Sequence, residues 1–420
     1  MTSLWQTSEP ALLVLEDGSV FRGRSFGAVG EAVGEAVFNT AMSGYQEVLT
    51  DPSYAGQIVT MTAPHQGNYG VNREDPESSG PRVAGFAVRE ASRRASSWRA
   101  ERTLHEELAE AGIVGIEGID TRRLTLRLRE HGAMRCGVST VELDADALLE
   151  RVLRSPRMEG HDLARTVTTG EPYEAGSLVG PADRSLGRVL RVAAFDFGIK
   201  RSILRLLAAA GCETVVFPAQ TPAREVLSGS FDGALLSNGP GDPAATEYGV
   251  RAAAELLGAI PVFGICLGHQ LLALALGART YKMPFGHRGA NQPVKDLRTG
   301  RVEVSSHNHG FAVDPASWDI GIPARGGSET SRASRRSGSP PAKRGTAGPT
   351  LDGRALDHPP VVEGRHGRIE LTHWNLNDGT LEGFRCLDVP AAAVQYHPEA
   401  APGPHDALHL FAEFRDLMDA

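Results

Sequence analysis

Apolar residues along this chain follow one rhythm up to about residue 175 and another from residue 189 onward. In the first stretch, the run Ala11–Leu15 stops at Glu16-Asp17-Gly18, a hairpin signal, and resumes at Val20-Phe21. Residues 35–39, 57–62 and 82–88 read as further strands, while Trp98–Ala111, Thr121–His131 and Ala145–Leu153 carry helical spacing. Asp144 and Asp146 supply an acidic opening for the last helix. Residues 1–175 therefore read as a β-rich α/β domain. From Val189 the pattern alternates: strands at 189–195, 213–217, 233–237 and 262–265, with helices at 199–210, 244–257 and 271–276. Such alternation predicts an α/β fold with a mostly parallel sheet flanked by helices over residues 189–420. Strands at 301–306, 368–375 and 391–396 would extend that sheet. A helix over 406–418 would close the chain, with Leu408, Phe411, Phe414 and Leu417 on one face.

Three segments interrupt these rhythms. Phe38–Tyr54 is polar, aromatic and rich in turn residues, which predicts a long loop of the kind that forms binding surfaces. Glycines and prolines from Glu171 to Gly187 mark a linker, placed at 176–188 between the two domains. Residues 323–368 hold nine Lys/Arg against four Asp/Glu and almost no large apolar side chains. That composition cannot bury enough surface to offset ordering entropy, so a disordered insertion is expected there.

Composition narrows the class. The chain has 420 residues, 41% hydrophobic and 22% charged, as in ordinary globular proteins. Its net charge of −8 argues against nucleic acid or anionic membrane as a partner. Met1–Pro10 lacks a basic stretch followed by an apolar run, and no apolar segment approaches bilayer length. Cys136, Cys212, Cys266 and Cys386 are scattered without a CxxC pair, which fits a reducing cytoplasm and predicts neither disulfides nor a metal site.

Candidate chemistry gathers at three places. Cys266 sits between a strand and a helix, flanked by Gly264 and Gly268. A nucleophile on so tight a turn needs small neighbours, because side chains there would clash as the backbone bends back. A buried core cysteine would need neither the glycines nor the polar His269-Gln270 pair. The second place is His397-Pro398-Glu399, directly after an apolar strand. A cysteine nucleophile needs a base to form thiolate and an acid for its leaving group; one imidazole oriented by a carboxylate serves both. Two residues apart in extended chain, His397 and Glu399 would face the same way. The third place, Ser237–Pro243, superficially matches a dinucleotide fingerprint. Its two prolines remove amide donors, so a rigid turn presenting N–H to an oxyanion is the better reading. No GxxxxGK[ST] phosphate loop occurs anywhere in the chain.

Gly264–Gln270, Ser237–Pro243 and His397–Glu399 resemble the class I (triad) glutamine amidotransferases. Phe38–Tyr54, Asp120–Leu124, Asp196–Lys200, Phe285–His287, Asn308–Phe311 and Pro402–Asp406 resemble the small-subunit family of carbamoyl-phosphate synthetases, a likeness running from about Ala11 to Leu417. The resemblance implies hydrolysis of L-glutamine to glutamate and ammonia. The ammonia would be channelled to a large subunit that makes carbamoyl phosphate from bicarbonate, for arginine and pyrimidine synthesis. It implies Cys266 as nucleophile, His397 as acid/base and Glu399 as its orienting carboxylate. Glutamine contacts fall on Ser53, Gly239, Gly241, Leu267, Gln270, Asn308, Gly310 and Phe311. No cofactor or metal is expected in this chain; ATP with Mg2+ or K+ would act on the large subunit. A glutamine-binding scaffold with a silent site, or a stand-alone cysteine hydrolase, explains fewer of these motifs.

Overall fold

In the computed structural model, residues 9–318, 350–351 and 354–419 are described. The first rhythm closes into a seven-stranded barrel. Its elements in chain order are β1 (Pro10–Leu15), β2 (Val20–Gly27), β3 (Glu31–Asn39), α1 (Tyr45–Thr50), β4 (Gln57–Met61), β5 (Gly85–Ala87), α2 (Leu104–Glu110), β6 (Val114–Glu117), α3 (Thr121–His131), β7 (Met134–Ser139) and α4 (Ala145–Arg154). The barrel order is β1-β2-β6-β5-β4-β3-β7, closed by β7 pairing antiparallel with both β1 and β3. β1 reads as an unbroken apolar run because both of its faces are covered. Leu13 and Leu15 pack into the cluster containing Leu124 and Leu128 of α3, whereas Leu12 and Val14 meet Leu148 of α4.

Several local expectations change here. The helix expected from Trp98 begins only after Thr103, whose hydroxyl accepts from the Glu106 N–H while Glu106 bonds back to the Thr103 N–H. This reciprocal cap outcompetes continuation toward Trp98, which is left exposed. Phe38–Tyr54 is less of a loop than expected: it holds α1 and a 3-10 turn at Pro52–Tyr54, capped by Asp51. β6 and β7 escaped the sequence reading because glycine and arginine interrupt their alternation; pairing on both sides stabilises them instead.

The second rhythm forms an eleven-stranded sheet. Its strands are β8 (Tyr173–Glu174), β9 (Leu190–Asp196), β10 (Cys212–Pro218), β11 (Gly233–Leu236), β12 (Val262–Ile265), β13 (Arg279–Asp296), β14 (Val302–Asp314), β15 (Val361–Gly364), β16 (Gly367–Asn375), β17 (Leu381–Cys386) and β18 (Ala391–Val394). The helices are α5 (Arg201–Ala209), α6 (Glu247–Leu256), α7 (Leu267–Ala275) and α8 (His409–Asp419). β10-β9-β11-β12-β18 run parallel. The strands beyond β18 join antiparallel, in the order β17-β16-β13-β14, with β15 paired to β16. Among the described residues no α-helix crosses between these later strands, so nothing there forces the parallel sense to continue.

Residues read as linker carry a one-turn helix at Gly176–Val179 and a 3-10 turn at Arg184–Leu186. Most of the basic segment 323–368 lies outside the described residues. Its end does not: β15 pairs in register with β16 and buries Val362, so the insertion stops short of 361. The closing helix seats Leu410, Phe411 and Phe414 against the sheet, each contributing about 1.5–3 kcal/mol by burial, with Leu410 rather than Leu408 as its first anchor.

Candidate active site

Four loops leave the carboxyl ends of the adjacent parallel strands β9, β11, β12 and β18, the edge of an α/β sheet where ligands bind. Cys266 follows β12 with φ 55° and ψ −101°, a backbone state that costs of order 1–3 kcal/mol for a residue with a side chain. Its surroundings hold it there. A Cβ on Gly268 would lie 2.0 Å from the Leu236 carbonyl oxygen, and one on Gly264 would lie 2.7 Å from the Gly268 carbonyl oxygen. The glycines thus do what the sequence asked of them, letting α7 start one residue after the sulfur.

β18 delivers His397 and Glu399. His397 Nδ1 lies 2.6 Å from Glu399 Oε1, and the His397 N–H donates to the Ser306 carbonyl at 2.8 Å. With Nδ1 committed to the carboxylate, Nε2 has no other hydrogen-bond partner and is left for the thiol. Burial alone would push the imidazole's pKa down, yet Glu399 and Cys266 outweigh it and raise the pKa to about 10. Glu399 shows the converse balance: burial pushes it up, while Lys200 and then His397 bring it down to about 2.

Lys200 was quoted within a motif but given no role by the sequence reading. It is fully buried, with Nζ 2.9 Å from Glu399 Oε1 and donating to the carbonyls of Ala400 (2.8 Å) and Ala401 (2.9 Å). Ala400 and Ala401 both have positive φ, which aims two consecutive carbonyls at the ammonium.

The pair's shifts carry opposite signs in pH. His397 is raised above its ordinary 6.5, so its contribution to stability is complete below 6.5 and lost as pH climbs toward 10. Glu399 is lowered from 4.5, so its contribution is complete above 4.5 and lost as pH falls toward 2. Both act at full strength between pH 4.5 and 6.5. The gap in melting temperature between wild type and Glu399→Gln should therefore peak in that window and shrink on either side. A gap independent of pH across thermal melts would show that the pair is not ionised.

A narrow cavity of about 20 Å3 opens at the sulfur. Seven of the eight residues assigned to glutamine line it: Ser53, Gly239, Gly241, Gln270, Asn308, Gly310 and Phe311. Leu267 does not; it is buried at the first position of α7. Ser53 reaches the cavity from the barrel half. Asn238 Nδ2 donates to Ser53 Oγ at 2.9 Å, Asp51 Oδ1 accepts from the Ser53 N–H at 2.9 Å, and Asn308 Nδ2 donates to Asp51 Oδ2 at 2.8 Å. Gln270 Nε2 donates to the Phe311 carbonyl and to Gln395 Oε1, both at 2.8 Å, so its amide also braces the wall.

Sequence reasoning missed Gln57, Met158, Lys282, Arg288 and His309, which line the same cavity. Lys282 Nζ is 2.6 Å from Glu35 Oε1, and buried Arg288 sits 4.0 Å from the same carboxylate. The two cations, Lys282 and Arg288, line one cavity and give it a positive character suited to a carboxylate. Arg288 directly follows Phe285-Gly-His287, the signal that could have found it; Lys282 had none.

A family model described as carbamoyl-phosphate synthase small chain, CPSase domain, matches residues 13–138. A second, glutamine amidotransferase class-I, matches residues 193–334 and 354–417. The chain is 48% identical over 416 residues to the carbamoyl phosphate synthase small chain of Syntrophotalea carbinolica, covering 97% of this chain and 98% of the relative. It is 49% identical over 415 residues to the small chain of Thermotoga maritima, covering 98% and 99%. The small chain of Thermosynechococcus vestitus is 48% identical over 418 residues, covering 98% and 97%.

Proposed function

This chain belongs to the carbamoyl-phosphate synthase small chain family, the glutamine amidotransferase subunit of an enzyme, and from that premise we propose that Cys266 hydrolyses L-glutamine through a thioester and that the ammonia is channelled to a large subunit. The observation that carries the proposal is the strained Cys266 with His397 and Glu399 behind it, at the mouth of a cavity lined by Ser53, Asn308 and Phe311.

In the proposed sequence, His397 takes the Cys266 proton and the sulfur attacks the side-chain amide carbon of glutamine. The N–H groups of Leu267 and Gly239 meet the oxyanion; loss of one such donor would slow the step about a hundredfold or more. His397 returns the proton to the amide nitrogen as its bond to carbon breaks, releasing ammonia and leaving a γ-glutamyl thioester. Water, giving a proton to His397, then attacks the thioester; the carbon–sulfur bond breaks, glutamate leaves, and the proton returns to sulfur.

Ammonia is a product that needs an acceptor, and the chain has no phosphate-loop motif of its own. ATP-dependent synthesis of carbamoyl phosphate from bicarbonate is therefore assigned to the large subunit, in the cytoplasm, for the arginine and pyrimidine pathways. No helix among the described residues is long and apolar enough to cross a membrane. The test is glutamate release by the chain alone and with the large subunit. Slow turnover alone, rising at least about tenfold in the pair with carbamoyl phosphate formed in step, is the expected result. A pair that makes carbamoyl phosphate from ammonia but releases no glutamate would overturn the reading.

A further inference from the structure

Three imidazoles and one carboxylate, none of them used by the triad, converge inside the antiparallel part of the sheet. His287 comes from β13, His307 and His309 from β14, and Glu382 from β17. His307 and His309 are two apart in a strand and so share a face. All four are buried, and their candidate donor atoms lie within 4.8 Å of one another.

The spacing is that of a coordination shell. Donors about 2.0–2.1 Å from a tetrahedral zinc ion stand about 3.3 Å from each other. Here His287 Nδ1 is 3.2 Å from Glu382 Oε1, His307 Nδ1 is 3.3 Å from His309 Nε2, His307 Nδ1 is 3.7 Å from Glu382 Oε1, and His309 Nε2 is 3.9 Å from Glu382 Oε2. Each ring also has an outer partner on its other nitrogen. His287 Nε2 meets Asp378 Oδ2 at 2.8 Å, His307 Nε2 meets Ser305 Oγ at 2.9 Å, and His309 Nδ1 meets the Phe311 carbonyl at 2.8 Å. Such contacts orient the inward nitrogen of a metal-binding histidine and fix its tautomer.

Glu382 points to a ligand independently. It is fully buried, and its Oε2 has no hydrogen-bond partner. Among the described residues its ion-pair partners are the three histidines alone, with no lysine or arginine. Its Oε1 also accepts from Asn375 Nδ2 at 3.2 Å, so it is the second oxygen, buried without a partner, that is costly unless a cation is supplied.

We propose that His287, His307, His309 and Glu382 form a closed site for a divalent transition-metal ion, of which zinc suits this donor set and spacing best. Four protein ligands leave no open position, so the ion is structural. It ties β13, β14 and β17 together, and β14 is the strand that carries Asn308, Gly310 and Phe311 into the catalytic cavity. This departs from the expectation of no metal: only the H-x-H spacing of 307 and 309 was visible in sequence, and the other two ligands come from different strands.

Metal analysis of the purified full-length chain by plasma mass spectrometry, after expression with zinc, tests the proposal. The expected result is about one zinc per chain, removable by a strong chelator with a fall in melting temperature of roughly 5 °C and restored by Zn2+ alone. His307→Gln, which keeps a polar side chain in the strand, should fall below about a tenth of a zinc per chain while keeping its far-UV circular dichroism. A wild-type chain that stays metal-free after zinc exposure, melting alike with and without Zn2+, would show a purely hydrogen-bonded network centred on Glu382. Zinc retained in full by His307→Gln but lost from Cys266→Ser would also overturn the site.

Discussion

Cys266→Ser in the assembled enzyme is expected to remove glutamine-dependent carbamoyl phosphate synthesis, by about 10^4-fold or more, while ammonia-dependent synthesis persists. The asymmetry follows from where the sulfur stands. Serine fits the same space and accepts the same φ of 55°, so the elbow, the cavity and the barrel interface are undisturbed. What disappears is the soft sulfur nucleophile and one of the two groups that raise His397. The imidazole's pKa should therefore fall in the variant, a shift readable by NMR of the ring. Radiolabelled iodoacetamide should mark wild type at Cys266, with labelling suppressed by glutamine, and should miss the variant at that position. Full glutamine-dependent activity in Cys266→Ser would remove the sulfur from the mechanism.

Lys200→Met is expected to lower both stability and turnover, for one electrostatic reason. Lys200 is the buried cation facing Glu399, Glu77 and Asp51. Burial disfavours its charge, but those carboxylates outweigh burial and hold it protonated. Removing the cation leaves them uncompensated in a low-dielectric site, a loss of about 3–5 kcal/mol. That is a large part of the 5–15 kcal/mol typical of a folded domain. It would also release the two carbonyls of Ala400 and Ala401, whose positive φ values the ammonium now rewards. Urea unfolding should show the loss. Lys200→Met combined with Glu399→Gln should recover part of the stability, since one of the three unmatched carboxylates is gone, without recovering glutaminase activity. Strict additivity of the two changes would argue that the residues do not interact.

Legibility in the sequence followed the range of the physics. Gly264 and Gly268 marked the elbow because the clash they avoid is local: the carbonyls of Leu236 and Gly268 come within 2.0–2.7 Å of where a Cβ would stand. His397 and Glu399 were legible for the same reason, two residues of extended chain placing both side chains on one side. Thr103 and Glu106 are equally local, a capping box that could have moved the start of α2 and was overlooked. The short strand β7 was not legible, because its stability resides in ladders to β1 and β3, more than ninety residues away in sequence.

What the sequence by itself determined is the alternation of strands and helices, the tight turn at Cys266 and the His397-Pro398-Glu399 end of β18. Each depends on periodicity or sterics within a few residues. Tertiary structure alone decided that β7 closes a barrel, that Ser53 meets Asn238 across 185 positions of chain, and that Lys200 docks on Glu399 and the carbonyls beyond it. Those pairings are set by strand register and by the need to match buried charge, two constraints that exist only once distant segments are packed together. Cys266 owes its strained turn to local sterics, and the cavity it faces to what the fold brings opposite it.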